Sequence, residues 1–464
     1  MPADGHLPIV SEKDFFRNDC TSDREEFCDI MGKIEIGMPQ FRRLQTAEIY
    51  GKEKRRKGEK IGMSEKEKDK LRPDDRSPHM RAECGKTHGQ REKCDSRKEV
   101  YSPETREMIQ MIDRLEENRI LTGEEFIRLI DGRNHETESY LYAKARETAR
   151  KIFGNQIYTR GLIEITNYCK NDCYYCGIRR SNGKAARYRL TKEDILICAA
   201  EGYDLGFRTF VLQGGEDAYF HDDRVCDIVS SLREHWPDCA VTLSIGEKAK
   251  KSYEAYFRAG ADRYLLRHET ADRRHYESLH PAEMSFEGRM RCLCDLKEIG
   301  YQVGAGFMVG SPGQTTACLA EDLLFLHDLK PHMVGIGPFL PHHDTPFGGE
   351  PAGSTEETLF LLGILRLMMP ELLLPATTAL GTASSDGRER GILAGANVVM
   401  PNLSPGEVRR KYMLYDGKVS DGAESAQARA ELAARVKAIG YELSDSRGDS
   451  PVWTGRKEKT DRYT

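Results

Sequence analysis

Residues 164–182 read EITNYCKNDCYYCGIRRSN and place Cys169, Cys173 and Cys176 in a C-x-x-x-C-x-x-C loop directly behind a short aliphatic run, 162–165. Such a run suits a buried strand. Loops at the C-terminal ends of parallel strands are where barrel enzymes carry their chemistry, so the spacing predicts a site as well as a fold. Three thiolates can hold three irons. A four-iron cubane closed by protein needs four ligands, so a cluster here keeps one iron open to an exogenous chelate. Three reduced loop thiols, or a zinc site completed by a distant fourth ligand, are the plainer readings of the same residues; the place of the loop after the first strand favours the cluster.

Working outward, similar runs recur at 209–212, 240–243, 264–266, 303–308, 334–336, 375–379 and 397–400, separated by longer amphipathic stretches. That alternation indicates a parallel sheet, and eight units fit a complete (β/α)8 TIM-type barrel over 160–415. Between the first two strands Thr191 and Asp194 suit a helix start and Gly206 its stop. Residues 101–159 read as a helical flank, with Met108, Ile109, Ile112 and Leu115 at helical spacing and an acidic helix start near Glu124. Residues 416–464 are expected to form one helix, about 426–439, and a polar tail.

The first 100 residues are dense in charge, as in GKEKRRKGEKIGMSEKEKDKLRPDDR, and read as a disordered leader. Cys20, Cys28, Cys84, Cys94 and His88 lie there without the paired C-x-x-C pattern of a zinc site. A formal charge of -5 argues against a nucleic-acid binder, and the apolar runs are too short for a membrane span or a signal peptide, so a cytoplasmic location is expected. Thirteen cysteines are then reduced thiols whose spacing matters more than their number.

A second signal closes the second strand: Gln213, Gly214, Gly215 and Glu216, where small residues allow backbone to approach a ligand. Gly304, Gly306, Gly310 and Gly313 do not form a dinucleotide fingerprint, because Pro312 interrupts the expected helix start and the G-x-G-x-x-G spacing is missing. Glycine inside a barrel strand marks close backbone approach instead.

The cysteine loop resembles the motif of the radical S-adenosylmethionine (SAM) superfamily, with Tyr175 at its aromatic position. Read in order, RGLIEITNYCKNDCYYCGIRR, VLQGGED, GADRYLLRHET, GAGFMVGSPGQT, VGIGPFLPHHDTP, LPATTALGT and GANVVMPN resemble the HydE family of FeFe-hydrogenase maturases from about Pro103 to Lys418. The resemblance implies one 4Fe-4S cluster on Cys169, Cys173 and Cys176, and SAM lined by Tyr175, Gln213, Gly214, Gly215, Glu216, Glu269 and Arg289. It implies a cavity in which Arg267 takes a carboxylate beside Glu269, with Thr242, Thr377 and Thr378 adding polar groups and Tyr412 and Tyr415 closing the mouth. The implied substrate is a small organometallic, an iron–carbonyl–cyanide–cysteine complex from a partner maturase; an electron donor is needed, and the product passes to a scaffold GTPase.

Where the family often has Ser, this chain has Gly214. The second cluster some members carry cannot be built, because no cysteine follows Cys318, and Cys292 and Cys294, at i and i+2 of a predicted helix, diverge. A methylornithine-synthase-like mutase shares the barrel, loop and carboxylate-binding arginine. A non-catalytic iron–sulfur carrier would close its cluster with four cysteines. The anaerobically reconstituted protein is therefore expected to saturate at about four irons per chain; saturation near eight would reveal a second cluster.

Overall fold

The computed structural model describes residues 101–419 and 425–455; Cys20, Cys28, Cys84, Cys94 and His88, and the expected leader, lie outside them. The strands are β1 (Gln156–Thr159), β2 (Gly161–Thr166), β3 (Thr209–Gly214), β4 (Ala240–Ser244), β5 (Arg263–Leu265), β6 (Gln302–Ala305), β7 (Met308–Val309), β8 (Met333–Val334), β9 (Gly337–Pro338), β10 (Val398–Val399) and β11 (Glu442–Ser444). Six of them form one parallel sheet in the order β2-β3-β4-β5-β6-β8. β2 is buried along its whole length, as expected of a parallel strand covered on both faces. Its register sets Leu162 opposite Val211 and Glu164 opposite Gln213, which brings the exits of the first two strands level.

The fold is thus α/β with a parallel sheet. Beyond it, single parallel bridges join Met333 to Leu373, Pro375 to Val398 and Leu162 to Asn402. The expected strand 375–379 is corrected: Pro375 has no N–H to give a ladder, and Thr378–Ala383 is already helical. The expected run 303–308 is broken at Gly306, whose φ of +150° lets its backbone pass so close to Gly335 that a Cβ would stand 2.0 Å from the Gly335 carbonyl oxygen. The chain resumes as β7, paired with β9.

The helical flank forms as its capping residues dictate. Helices Gly123–Asp131 and Lys192–Asp204 both open on capping boxes, Thr122 with Glu125 and Thr191 with Asp194. Helix His135–Phe153 packs on helix Thr355–Met368 at Gly363, where a Cβ would meet Leu141 Cγ at 2.8 Å. β1, read as part of the flank, instead pairs in parallel with β10 and β11. Cys292 and Cys294 do diverge on helix Phe286–Ile299, toward the Lys248 and Met290 carbonyls. No helix among the described residues is long and apolar enough to cross a membrane.

The tail does more than sequence suggests. Helix Arg429–Ala438 leads through β11 to Asp449, whose Oδ1 lies 2.6 Å from Arg263 Nη2 and 2.7 Å from Gln302 Nε2. Arg263, on β5, is fully buried, so Asp449 supplies the charge that a buried guanidinium requires. Burial alone would raise the Asp449 carboxyl, but Arg263, Gln302 and Arg447 together outweigh it and hold the group down at about 2. A depressed carboxylate stabilises the fold above its unfolded pKa and loses that contribution as pH falls through the folded one. Asp449→Asn should cost about 3 kcal/mol in urea unfolding at neutral pH. The gap from the parent should narrow as pH drops from about 4 toward 2; a gap unchanged across that range would show that Asp449 does not carry the charge.

Candidate functional site

β2 ends at Thr166, and the cysteine loop leaves it over the end of β3. There Gly215 is indispensable: a Cβ would stand 2.2 Å from the Tyr168 carbonyl oxygen and 2.8 Å from Cys169 Cβ. The next residue closes the contact, since Glu216 N–H points at Cys169 Sγ (3.4 Å) and Lys170 N–H donates to the Glu216 carbonyl (2.9 Å). The buried Glu216 carboxylate accepts from Glu247 N–H at 2.9 Å and pairs with Lys170 Nζ at 3.0 Å. One side chain therefore joins the exits of β2, β3 and β4. Asp217 completes the seam with a two-pronged bond to Arg189 (2.6 and 2.9 Å) and one from Thr166 (2.8 Å).

Sequence reasoning missed the clamp that shapes the loop. Arg187 donates to the carbonyls of Asn167, Ile178, Arg179 and Asn182, a planar fork gathering both ends of the turn. Burial pushes the Cys173 thiol up to about 12 and Cys176 well up. Burial raises Cys169 as well, opposed by N–H groups of Asn171 and Glu216. Such thiols stay protonated unless a metal centre draws the protons off. The donor set suits an iron–sulfur cluster, and Gly215 lets the loop that carries it pack on the end of β3.

Other expected residues follow neighbouring strand exits, whereas Thr242 sits in the middle of β4, opposite Val211 and Arg263. Tyr175 turns its hydroxyl to His280 Nε2 (3.1 Å), and burial holds His280 down at about 3, leaving that nitrogen neutral. Arg267 and Glu269 meet at 3.1 Å, but not by strand alternation: β5 has ended, and Glu269 sits at φ +68°. A non-glycine residue held there is a strain that tends to mark functional positions. Arg267 Nε and the Oγ1 of the fully buried Thr242 have no hydrogen-bond partner among the described residues. Thr242 also lines a cavity of about 20 Å³ with Arg160 on the sheet's inner face.

Arg289 is already engaged, to Glu247 (2.5 Å) and to the Arg267 carbonyl (2.5 Å). Glu247, its partner, had no motif to reveal it. Gln213 Nε2 reaches the hydroxyl of the buried Tyr412 at 3.4 Å, with Tyr415 half-buried three residues on. Thr377 donates to the Ile336 carbonyl (3.3 Å) and precedes the helix begun by Thr378. At Gly214 a Cβ would stand 2.9 Å from Thr166 Cγ2, so the glycine lets that methyl pack close.

Comparison with known proteins gives the family. The radical SAM superfamily model matches residues 163–326. The chain is 47% identical over 279 residues to the FeFe-hydrogenase maturase subunit HydE of Thermotoga maritima, covering 60% of this chain and 79% of that protein. It is 30% identical over 306 residues to the 3-methylornithine synthase of Methanosarcina barkeri, covering 66% and 86%. The crystal structure of a methylornithine synthase superposes with a TM-score of 0.63 at 27% identity, over 72% of this chain and 97% of that one. With identity to HydE this high across most of that protein's length, the chain belongs to the HydE family of radical SAM enzymes, which use a four-iron cluster and SAM.

Proposed function

We propose that the protein performs the HydE step of FeFe-hydrogenase assembly on an iron–carbonyl–cyanide–cysteine complex, at a site where Cys169, Cys173 and Cys176 hold the cluster. The observation that carries this reading is the presence, beyond the exits of neighbouring strands, of three half-buried thiols on a loop seated against Gly215 and of an arginine with donor capacity to spare. Greater identity to HydE than to methylornithine synthase favours the maturase over the amino-acid mutase.

When bound, the cluster supplies the electron that splits SAM into methionine and a 5′-deoxyadenosyl radical. The protein's own residues set where that happens. Gly214 and Gly215 let Thr166 and the cysteine loop pack directly on the end of β3, Glu216 fixes the three loops, and Arg289 presents its charge at the Arg267 carbonyl. Arg267, held by Glu269, keeps Nε free to take the substrate carboxylate in a fork, with the hydroxyls of Thr242, Thr377 and Thr378 completing the cavity. Tyr412 and Tyr415 close the mouth and keep water from the radical.

The site is read as the mouth of a complete barrel over 160–415, flanked by helices in 101–159 and followed by the 416–464 segment. The single bridges at Leu162, Met333 and Pro375 support closure of the ring. The partners proposed are an electron donor, the maturase that supplies the complex and the GTPase that receives the product; a cytoplasmic location suits all of them.

The test is anaerobic reconstitution followed by measurement of 5′-deoxyadenosine. Any one of Cys169, Cys173 or Cys176 changed to Ala should abolish its formation with the fold retained, since the ligands sit on a loop. Arg267→Lys keeps the charge but loses the fork, so substrate-dependent turnover should fall about tenfold while SAM binding stays near the parent's. Equal turnover in variant and parent would remove Arg267 from the site.

A further inference from the structure

Glu164 is fully buried in the middle of β2, and nothing in the chemistry above uses it. Burial pushes its carboxyl up, and Lys418 is the first group opposing that rise. Lys418 comes from far along the chain, is 7% exposed, and forms an ion pair with Glu164 Oε1. The same ammonium donates to the Tyr412 carbonyl at 2.9 Å and stands 4.8 Å from the centre of the Tyr412 ring. At its other end the Tyr412 hydroxyl meets Gln213, the register partner of Glu164. Ring face, carbonyl and hydroxyl of one tyrosine are thus all fixed from two adjacent strands.

Other ties hold residues 411–419 across the strand ends. Asn167 Nδ2 donates to the Lys411 carbonyl (2.8 Å), Gly177 N–H to the Leu414 carbonyl (2.8 Å) and Asp416 N–H to the Pro341 carbonyl (2.9 Å). His343 Nδ1 lies 2.7 Å from Asp416 Oδ1, but those two side chains are 67% and 47% exposed. Coulomb attraction in solvent is weak, and exposed pairs contribute little. The Glu164–Lys418 pair is the desolvated one, and breaking it by removing one partner leaves a buried charge uncompensated.

We propose that Glu164 and Lys418 are a positioning pair: they touch no reacting atom, and they fix Tyr412 over the mouth so that radical formation is coupled to the bound substrate. This rests on the reading that Tyr412 closes the cavity. Loss of the pair lets the segment 411–419 loosen, and the radical is then formed over a mouth that no longer holds the substrate in place.

The variants are Lys418→Met, Lys418→Arg, Glu164→Gln, the double Glu164→Gln/Lys418→Met, and Tyr412→Ala as reference. Each is reconstituted anaerobically, checked for iron content, and given SAM and dithionite as electron donor with a synthetic iron–carbonyl–cyanide–cysteine complex. The readout is the ratio of substrate consumed to 5′-deoxyadenosine formed, beside hydrogen–deuterium exchange of residues 411–419. Lys418→Met and Glu164→Gln should lower the ratio by about tenfold, within the range that misplacement of a positioning group costs. Exchange in 411–419 should rise in the same two variants, with or without SAM, and Lys418→Arg should recover part of the ratio. The double variant leaves no unpaired charge, so it folds even where a single one does not, and it too should remain uncoupled. Parental coupling in Tyr412→Ala would remove the reading beneath the proposal. Parental coupling in Lys418→Met and in the double variant, beside a loss in Tyr412→Ala, would overturn the pair alone.

Discussion

The site depends on one close approach, the passage of the cysteine loop over Gly215. A single carbon atom at that position would collide with the Tyr168 carbonyl and with Cys169 itself. Because the loop can lie flat there, Glu216 and Asp217 reach their partners and draw the exits of β2, β3 and β4 into one seam. Loops carry chemistry only when a rigid scaffold places them. Here the scaffold is the level register of β2 and β3, and the Arg187 fork transmits it to the far side of the turn.

Buried charge follows the same economy at both ends of the sheet. Toward the strand starts, Arg263 is met by Asp449 from the tail; toward the strand exits, Glu164 is met by Lys418. In each case a buried charge on a strand of the parallel sheet is neutralised by a residue from the last fifth of the chain. Such pairs add little net stability over apolar packing, but removing one partner is costly. Their effect is to make the C-terminal segment return to one place. Where pairing is reduced to the single Pro375–Val398 bridge, the fully buried Arg366 bonds to the carbonyls of Pro370, Leu372 and Gly395 and to Asn397 Oδ1.

What the sequence made legible was local. The Thr191 and Asp194 capping box is met as read, while the glycines at 214 and 215 make room for Thr166 and the cysteine loop rather than for open backbone. Pairings across long separations left no such mark. Glu164 hides in an aliphatic run, and neither Arg187 nor Glu247 belongs to a periodic pattern. Asp449 reads as polar tail until Arg263 is seen beneath it. Pro375 and the two threonines after it look like a strand because β-branched residues favour one, yet Pro375 cannot donate to a ladder and the chain turns helical at Thr378. Arg267 and Glu269, side by side as the resemblance implied, are joined by a left-handed turn at Glu269 that no sequence pattern marks.

The central claim is that three cysteines leave one iron of the cluster open and that SAM occupies it. Electron–nuclear double resonance on the reduced, reconstituted protein, with SAM carrying ¹⁷O in its carboxylate and ¹⁵N in its amino group, reads that bond directly. The account predicts hyperfine coupling from both nuclei to the cluster, absent when unlabelled SAM is used. A reduced four-iron signal with no coupling to either label, under saturating SAM, would contradict it.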